Sequence, residues 1–166
     1  MISKTIEKAL NKQIAEEAYA SYYYLAIASW CDKSGLPGSA KFMYAQSEEE
    51  RTHMTKLFVY INETGGHAIT PAIKQPPLEY KSVQNIIELV LEHERTIIKD
   101  INDLVEFCLK EKDFGTFNFL QWYVTEQHEE ERLFTGLLDK IKALSNDAGA
   151  MYWIDKELEG MLNTKK

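Results

Sequence analysis

The sequence has little of what interrupts a helix. It holds four prolines and eight glycines in 166 residues, and they fall largely between segments of apolar periodicity. Cysteine is nearly absent: Cys31 and Cys108 stand far apart with no CxxC pair. That excludes a disulfide framework and a thiolate metal cluster, and reads as two reduced, buried thiols of a cytoplasmic chain. There is no long apolar run. The longest uncharged stretch, Ala18 to Cys31, is 14 residues, too short to span a bilayer. Met1-Ile2-Ser3-Lys4 leads directly into an amphipathic pattern rather than an apolar leader. Positive charge is in deficit, with 19 Lys and Arg against 26 Asp and Glu, a net charge of −7. Nucleic acid, which needs a basic surface, is disfavoured, and attraction of cations is favoured. Phosphate loops, nucleotide motifs, nucleophile triads and period-two strand patterns are all missing.

What the sequence does have is apolar spacing at the helical period. At 45% hydrophobic residues, 166 residues suit a single domain, 1–166, with a sizeable core. The first helix is expected from Ser3, a good N-cap, to about Lys33, with Ile6, Leu10, Ile14, Ala18, Leu25 and Ala28 on its stripe. Gly35-Leu36-Pro37-Gly38 turns the chain into a second helix that ends near Thr64 at Gly65-Gly66. Phe42, Tyr44, Ala45, Met54, Leu57, Phe58 and Ile61 supply its apolar spacing. The break from Gly66 to Lys81 carries Pro71, Pro76 and Pro77. Extended, it reaches roughly 53 Å, more than the roughly 40 Å of the second helix, so the second and third helices can be parallel. Ser82 caps a third helix running to about Lys112, Asp113 and Gly115 form a short turn, and a fourth helix runs from about Thr116 to Ser145. A short fifth helix spans about Ala148 to Leu162. The expected fold is all-α: a four-helix bundle with one long crossover plus a C-terminal helix packed outside it or against another subunit.

Chemistry concentrates in Glu48-Glu49-Glu50-Arg51-Thr52-His53. Residues three apart share a helix face, so Glu50 and His53 point the same way as a compact pair of metal ligands. An offset of 77 residues repeats the surroundings: Glu17 with Glu94, Glu50 with Gln127, His53 with Glu130, Glu49 with Glu126, Phe42 with Phe119, and Cys31 with Cys108. Two helical hairpins of one design would then offer ligands at matching heights. A lone glutamate on a helix usually faces water. Four carboxylates converging in a bundle core are strongly disfavoured unless protonated or paired, and no lysine or arginine is expected at matching heights on the inner faces. Two divalent cations would balance Glu17, Glu50, Glu94 and Glu130. Glu49, Glu126 and Glu129 leave negative charge for a third, while Glu48 and Glu131 are expected at the surface. His93 and His128 each adjoin a candidate ligand and so turn away from that face, and His67 lies in the crossover. All three are read as surface or structural residues. Tyr24, two turns beyond Glu17, is placed to hydrogen-bond or be oxidised beside the metals. Carboxylates with one imidazole and no thiolate suit iron, manganese or another oxygen-loving ion rather than structural zinc.

With these motifs in place, the chain resembles the ferritins, most specifically the non-haem ferritins of bacteria, over essentially its full length. The resemblance rests on Glu49-Glu50-Arg51-Thr52-His53-Met54, on Glu92-His93-Glu94 and on Thr116 through Glu131. It implies that Glu17, Glu50 and His53 hold a first iron, that Glu50 bridges to a second completed by Glu94 and Glu130 with Gln127 close by, and that Glu49, Glu126, Glu129 and Glu130 form a third site. Tyr24 and Trp122 would be the aromatic neighbours of the centre. The implied activity is oxidation of Fe(II) by O2 or peroxide, with ferric mineral stored in a homo-oligomeric cage of 24 subunits. The short fifth helix would line its four-fold axes. No membrane or nucleic-acid partner is implied. Arg51 stands where bacterioferritins carry a haem-ligating methionine, and Gln127-x-x-Glu130 replaces their second Glu-x-x-His, so haem is not expected. The alternatives are a di-iron oxygenase acting on an organic substrate and a helical bundle with no metal chemistry.

Overall fold

Ser3 opens the first helix: its hydroxyl accepts the Ile6 N–H at 3.2 Å, satisfying one of the donors every helix start leaves over. The computed structural model describes residues 2–144 and 149–162. In it α1 (Lys4–Lys33), α2 (Pro37–Glu63), α3 (Val83–Lys110), α4 (Phe114–Leu144) and α5 (Ala150–Met161) follow one another, with no strand among the described residues. The expected ends at Ser145 and Ala148 lie outside those residues. Gly35, at φ +75°, makes the tight reversal from α1 to α2. α2 then starts at Pro37, whose fixed φ suits a first helical position.

The four long helices close in the expected way. Ile2 N–H donates to the Thr64 carbonyl, so α1 begins where α2 ends. Tyr60 near the end of α2 hydrogen-bonds Thr116 at the start of α4, 2.9 Å apart. α3 and α4 form the second antiparallel hairpin, which leaves α2 and α3 parallel. The crossover between them runs the length of α1. It is held at one end by Asn11, which bonds His67 O and Ile69 N, and at the other by the Lys33–Glu79 pair.

Two apolar layers fill the bundle. One contains Ile27, Phe42, Met43, Ile86, Val90 and Phe134. The other contains Leu10, Ile14, Leu57, Ile61, Ile101 and Leu120. The candidate ligands lie between these layers. Three expectations need correction. Leu25 is 44% exposed, because the buried stripe of α1 follows Ile14, Glu17, Tyr24 and Ile27, and Leu25 turns about 100° from Tyr24. Tyr44 is 41% exposed, and its hydroxyl donates to Asp32 across the outside of the hairpin; Ala45, beside it, is exposed too. Gly115 is not in the turn but in the first turn of α4. Lys112 takes the left-handed position at φ 59°, and Asp113 caps the Thr116 N–H at 3.0 Å.

α5 docks through an unforeseen carboxylate. Leu36 gives the start of α2 no side-chain cap. Asp155 of α5 supplies one from outside: its Oδ1 accepts the Ser39 N–H at 2.7 Å and the Ser39 hydroxyl at 2.8 Å, and Oδ2 accepts the Gly38 N–H at 3.1 Å. The approach is so close that a Cβ on Gly38 would meet the Asp155 carbonyl oxygen at 2.2 Å.

Candidate metal centre

Six polar side chains converge midway along the bundle: Glu17 from α1, Glu50 and His53 from α2, Glu94 from α3, and Gln127 and Glu130 from α4. None is more than 3% exposed. Helical spacing explains the convergence. Glu50 and His53, like Gln127 and Glu130, sit one turn apart and project from one face. Tyr24, Tyr123 and Phe134, all fully buried, wall the site with rings.

The hydrogen bonds fall unevenly across it. Glu94 is held at both oxygens: the Tyr24 hydroxyl donates to Oε1 at 2.6 Å and the Gln127 amide to Oε2 at 3.1 Å. The Gln46 amide lies 3.3 and 3.5 Å from the two oxygens of Glu130. On the other side, Gln13 donates to Glu17 Oε1 at 2.8 Å. Glu17 Oε2, both oxygens of Glu50, and His53 Nδ1 have no hydrogen-bond partner. His53 Nδ1 stands 3.3 Å from Glu50 Oε2 and 3.8 Å from Glu17 Oε2, close enough for charge attraction but without a hydrogen bond. Buried polar atoms without partners are rare in native proteins. Here they face one another, with one ligand atom each from Glu17, Glu50 and His53 within 4.8 Å of the others.

The electrostatics describe a site short of positive charge. Burial first, and then the neighbouring Glu94 and Glu17, hold Glu50 well above the carboxylate range against the opposing pull of His53. Burial raises Glu94 to about 7 despite its bonds from Tyr24 and Gln127. Burial alone would push the His53 imidazole down, but Glu17 and Glu50 overcome it and raise the group to about 11. Protons thus stand in for missing charge. A hard or borderline divalent cation fits the same space better, since it satisfies several oxygens at once.

A second cluster adjoins the first. Glu49, His53 and Glu126 also place ligand atoms within 4.8 Å of one another, with His53 Nε2 4.0 Å from Glu126 Oε2. The two nitrogens of one imidazole therefore face different carboxylate groups. A cleft of about 230 Å³ beside it is lined by Glu49, Glu126, Glu129, Glu130, Arg132 and Leu133. Glu129 is exposed at its rim, and Glu48 and Glu131 sit outside, beside Arg51 and Arg95. His67 and His128 are exposed. His93 packs partly buried, edge-on to the rings of Tyr19 and Tyr23. Trp122 stands edge-on to His53, with ring centroids 5.2 Å apart, and carries the Lys56 ammonium over its ring, 4.3 Å from the centroid.

Sequence reasoning missed Gln13, Gln46 and Tyr123. The two glutamines had a signal, since each lies one turn before a candidate ligand, Glu17 or Glu50. Tyr123, whose hydroxyl donates to the His53 carbonyl at 2.7 Å, had none, because the contact joins α4 to α2.

The chain is similar to known proteins over nearly its whole length. The ferritin-like domain pattern matches residues 7–144. The chain is 49% identical to a probable bacterial non-heme ferritin-like protein of Haemophilus influenzae, covering 99% of both chains. It is 45% identical to a bacterial non-heme ferritin of Campylobacter jejuni, over 100% of this chain and 99% of that one. An open-pore ferritin of the archaeon Archaeoglobus fulgidus superposes with a TM-score of 0.93 at 42% identity, covering 96% of this chain and 98% of that one. On the fold, the buried carboxylate–imidazole cluster and these likenesses together, the chain belongs to the ferritin family.

Proposed function

We propose that this chain is an iron-storage ferritin that oxidises Fe(II) and retains the ferric product. The observation that carries the reading is the set of partnerless donors of Glu17, Glu50 and His53, buried and within 4.8 Å of one another. Iron is here substrate and cargo. One Fe(II) binds among those three residues, and another takes Glu94 and Glu130, with Gln127 beside it and Glu50 between the two. Glu49, Glu126 and Glu129, with Glu130, hold a third ion in the neighbouring cleft. Two Fe(II), one O2 and four waters yield two FeOOH, one H2O2 and four protons; peroxide can replace O2 as the oxidant. The carboxylates supply charge to the ferric product, and Tyr24 orients Glu94 through its 2.6 Å bond. The packed aromatic wall around the centre supports a small inorganic substrate over an organic one.

The same reading treats residues 1–166 as one functional unit in a cytoplasmic homo-oligomeric cage of 24 copies. The exposed Met151, Tyr152 and Trp153 of α5 provide apolar surface for subunit contact. Among the described residues no helix is long and apolar enough to cross a membrane. Stopped-flow oxidation of Fe(II) in air tests the activity. The wild-type protein is expected to show a fast phase consuming two Fe(II) per chain, and Glu50→Ala/His53→Ala to lose it. An unchanged fast phase in the double variant would refute the assignment.

A further inference from the structure

The two halves of the centre are not equally ready to receive a cation. Donor atoms of Glu17, Glu50 and His53 are open on the first half. On the second half, internal donors already occupy the carboxylates: Tyr24 and Gln127 on Glu94, and Gln46 across both oxygens of Glu130. Gln46 is only 1% exposed. It comes from α2, one turn before Glu50, and reaches across the bundle to α4. A buried amide carries a desolvation cost that its bonds must offset. A cation entering the second half therefore competes with the Gln46 and Gln127 amides for the oxygens it needs, while one entering the first half meets no amide donor on Glu17 Oε2, on Glu50 or on His53 Nδ1.

We propose that Gln46 is a positioning residue that latches Glu130 and, with Gln127, weakens binding of the second cation relative to the first. The centre would then fill in two separated steps, and the second ion would be the readily exchanged one. The inference rests on the metal-centre reading above and makes a claim of unusual sign: removing a buried hydrogen bond strengthens binding.

Anaerobic Co(II) titration tests it, followed by calorimetry and by the visible Co(II) spectrum. A Glu49→Gln/Glu126→Gln background removes the neighbouring cluster. Gln46→Met keeps side-chain length without a donor, and Gln46→Leu is the second variant should the first fold poorly. In either, the second binding step is expected to tighten about tenfold, the worth of one hydrogen bond to a charged group, with the first step unchanged. Gln13→Met, which frees Glu17 instead, is expected to leave the second step where it is. A second step that is unchanged or weakened, or two steps that weaken together, would overturn the latch and make Gln46 a packing residue. If the background protein itself binds no Co(II) at the buried centre, the metal-centre reading falls and the latch with it.

Discussion

Glu50 carries two carboxylate oxygens into a space where neither finds a hydrogen-bond donor. Its neutral form is favoured by burial, as is that of Glu94, so both groups hold their protons more tightly in the folded chain than in the unfolded one. A raised carboxyl pKa gives stability that is full below the unfolded value of 4.5 and lost as pH rises, for Glu94 through about 7. His53, raised from 6.5 to about 11, loses its contribution in the same direction across that higher window. The metal-free protein is therefore expected to lose stability at these groups between about pH 5 and pH 8. Saturating divalent cation should flatten that loss. Removing one of the charges should flatten it too: metal-free Glu50→Gln is expected to melt above wild type at pH 8, by about 2–4 °C for each kcal/mol relieved. Calorimetric scans with and without chelator check this, and a lower melting temperature at pH 8 would contradict it. Tyr24→Phe removes the bond to Glu94 Oε1 while keeping a ring of similar size. It is expected to slow Fe(II) oxidation several-fold and to leave the first cation-binding step intact, as stopped-flow and titration would show.

Among the elements, α5 depends most on a few atoms. Three hydrogen bonds from the start of α2 end on Asp155. Asp155→Ala leaves two N–H groups at a helix start without an acceptor and is expected to cost about 2 kcal/mol. Gly38→Ala is expected to displace α5 through the clash with its backbone. In both variants, amide hydrogen exchange should rise across residues 150–161 and stay level in the four long helices; a uniform rise would show that α5 is not a separate unit. The long helices were legible in sequence because each repeats its apolar face over many turns. Ser3, Ser82 and the Gly35 reversal were legible because capping and tight turns each need particular residues. Glu17, Glu50, His53 and Glu94 could be singled out because a charge at a core-facing helix position conflicts with its surroundings. The Asp155 cap was not legible, since it joins residues 116 and 117 positions apart. Leu25 and Tyr44 were misplaced because a helix turned by one residue still shows a continuous apolar stripe.

At the scale of the whole molecule, the bundle buries acids that lower its own metal-free stability and thereby holds a place for cations. The exposed Met151, Tyr152 and Trp153 add an apolar surface at one end of the bundle. Trp153→Glu is expected to shift the protein from a cage-sized particle to small species in sedimentation velocity, with the helical content of each chain kept. An unchanged particle would place the subunit contacts elsewhere. The central claim is that the buried Glu17, Glu50 and His53 group is where iron binds. Crystals soaked in Fe(II) without oxygen, measured on both sides of the iron absorption edge, test it most directly. The account predicts an anomalous peak within coordination distance of Glu17, Glu50 and His53, and a weaker one beside Glu94, Gln127 and Glu130. Peaks confined to surface carboxylates, with the buried group still empty at saturating Fe(II), would contradict it.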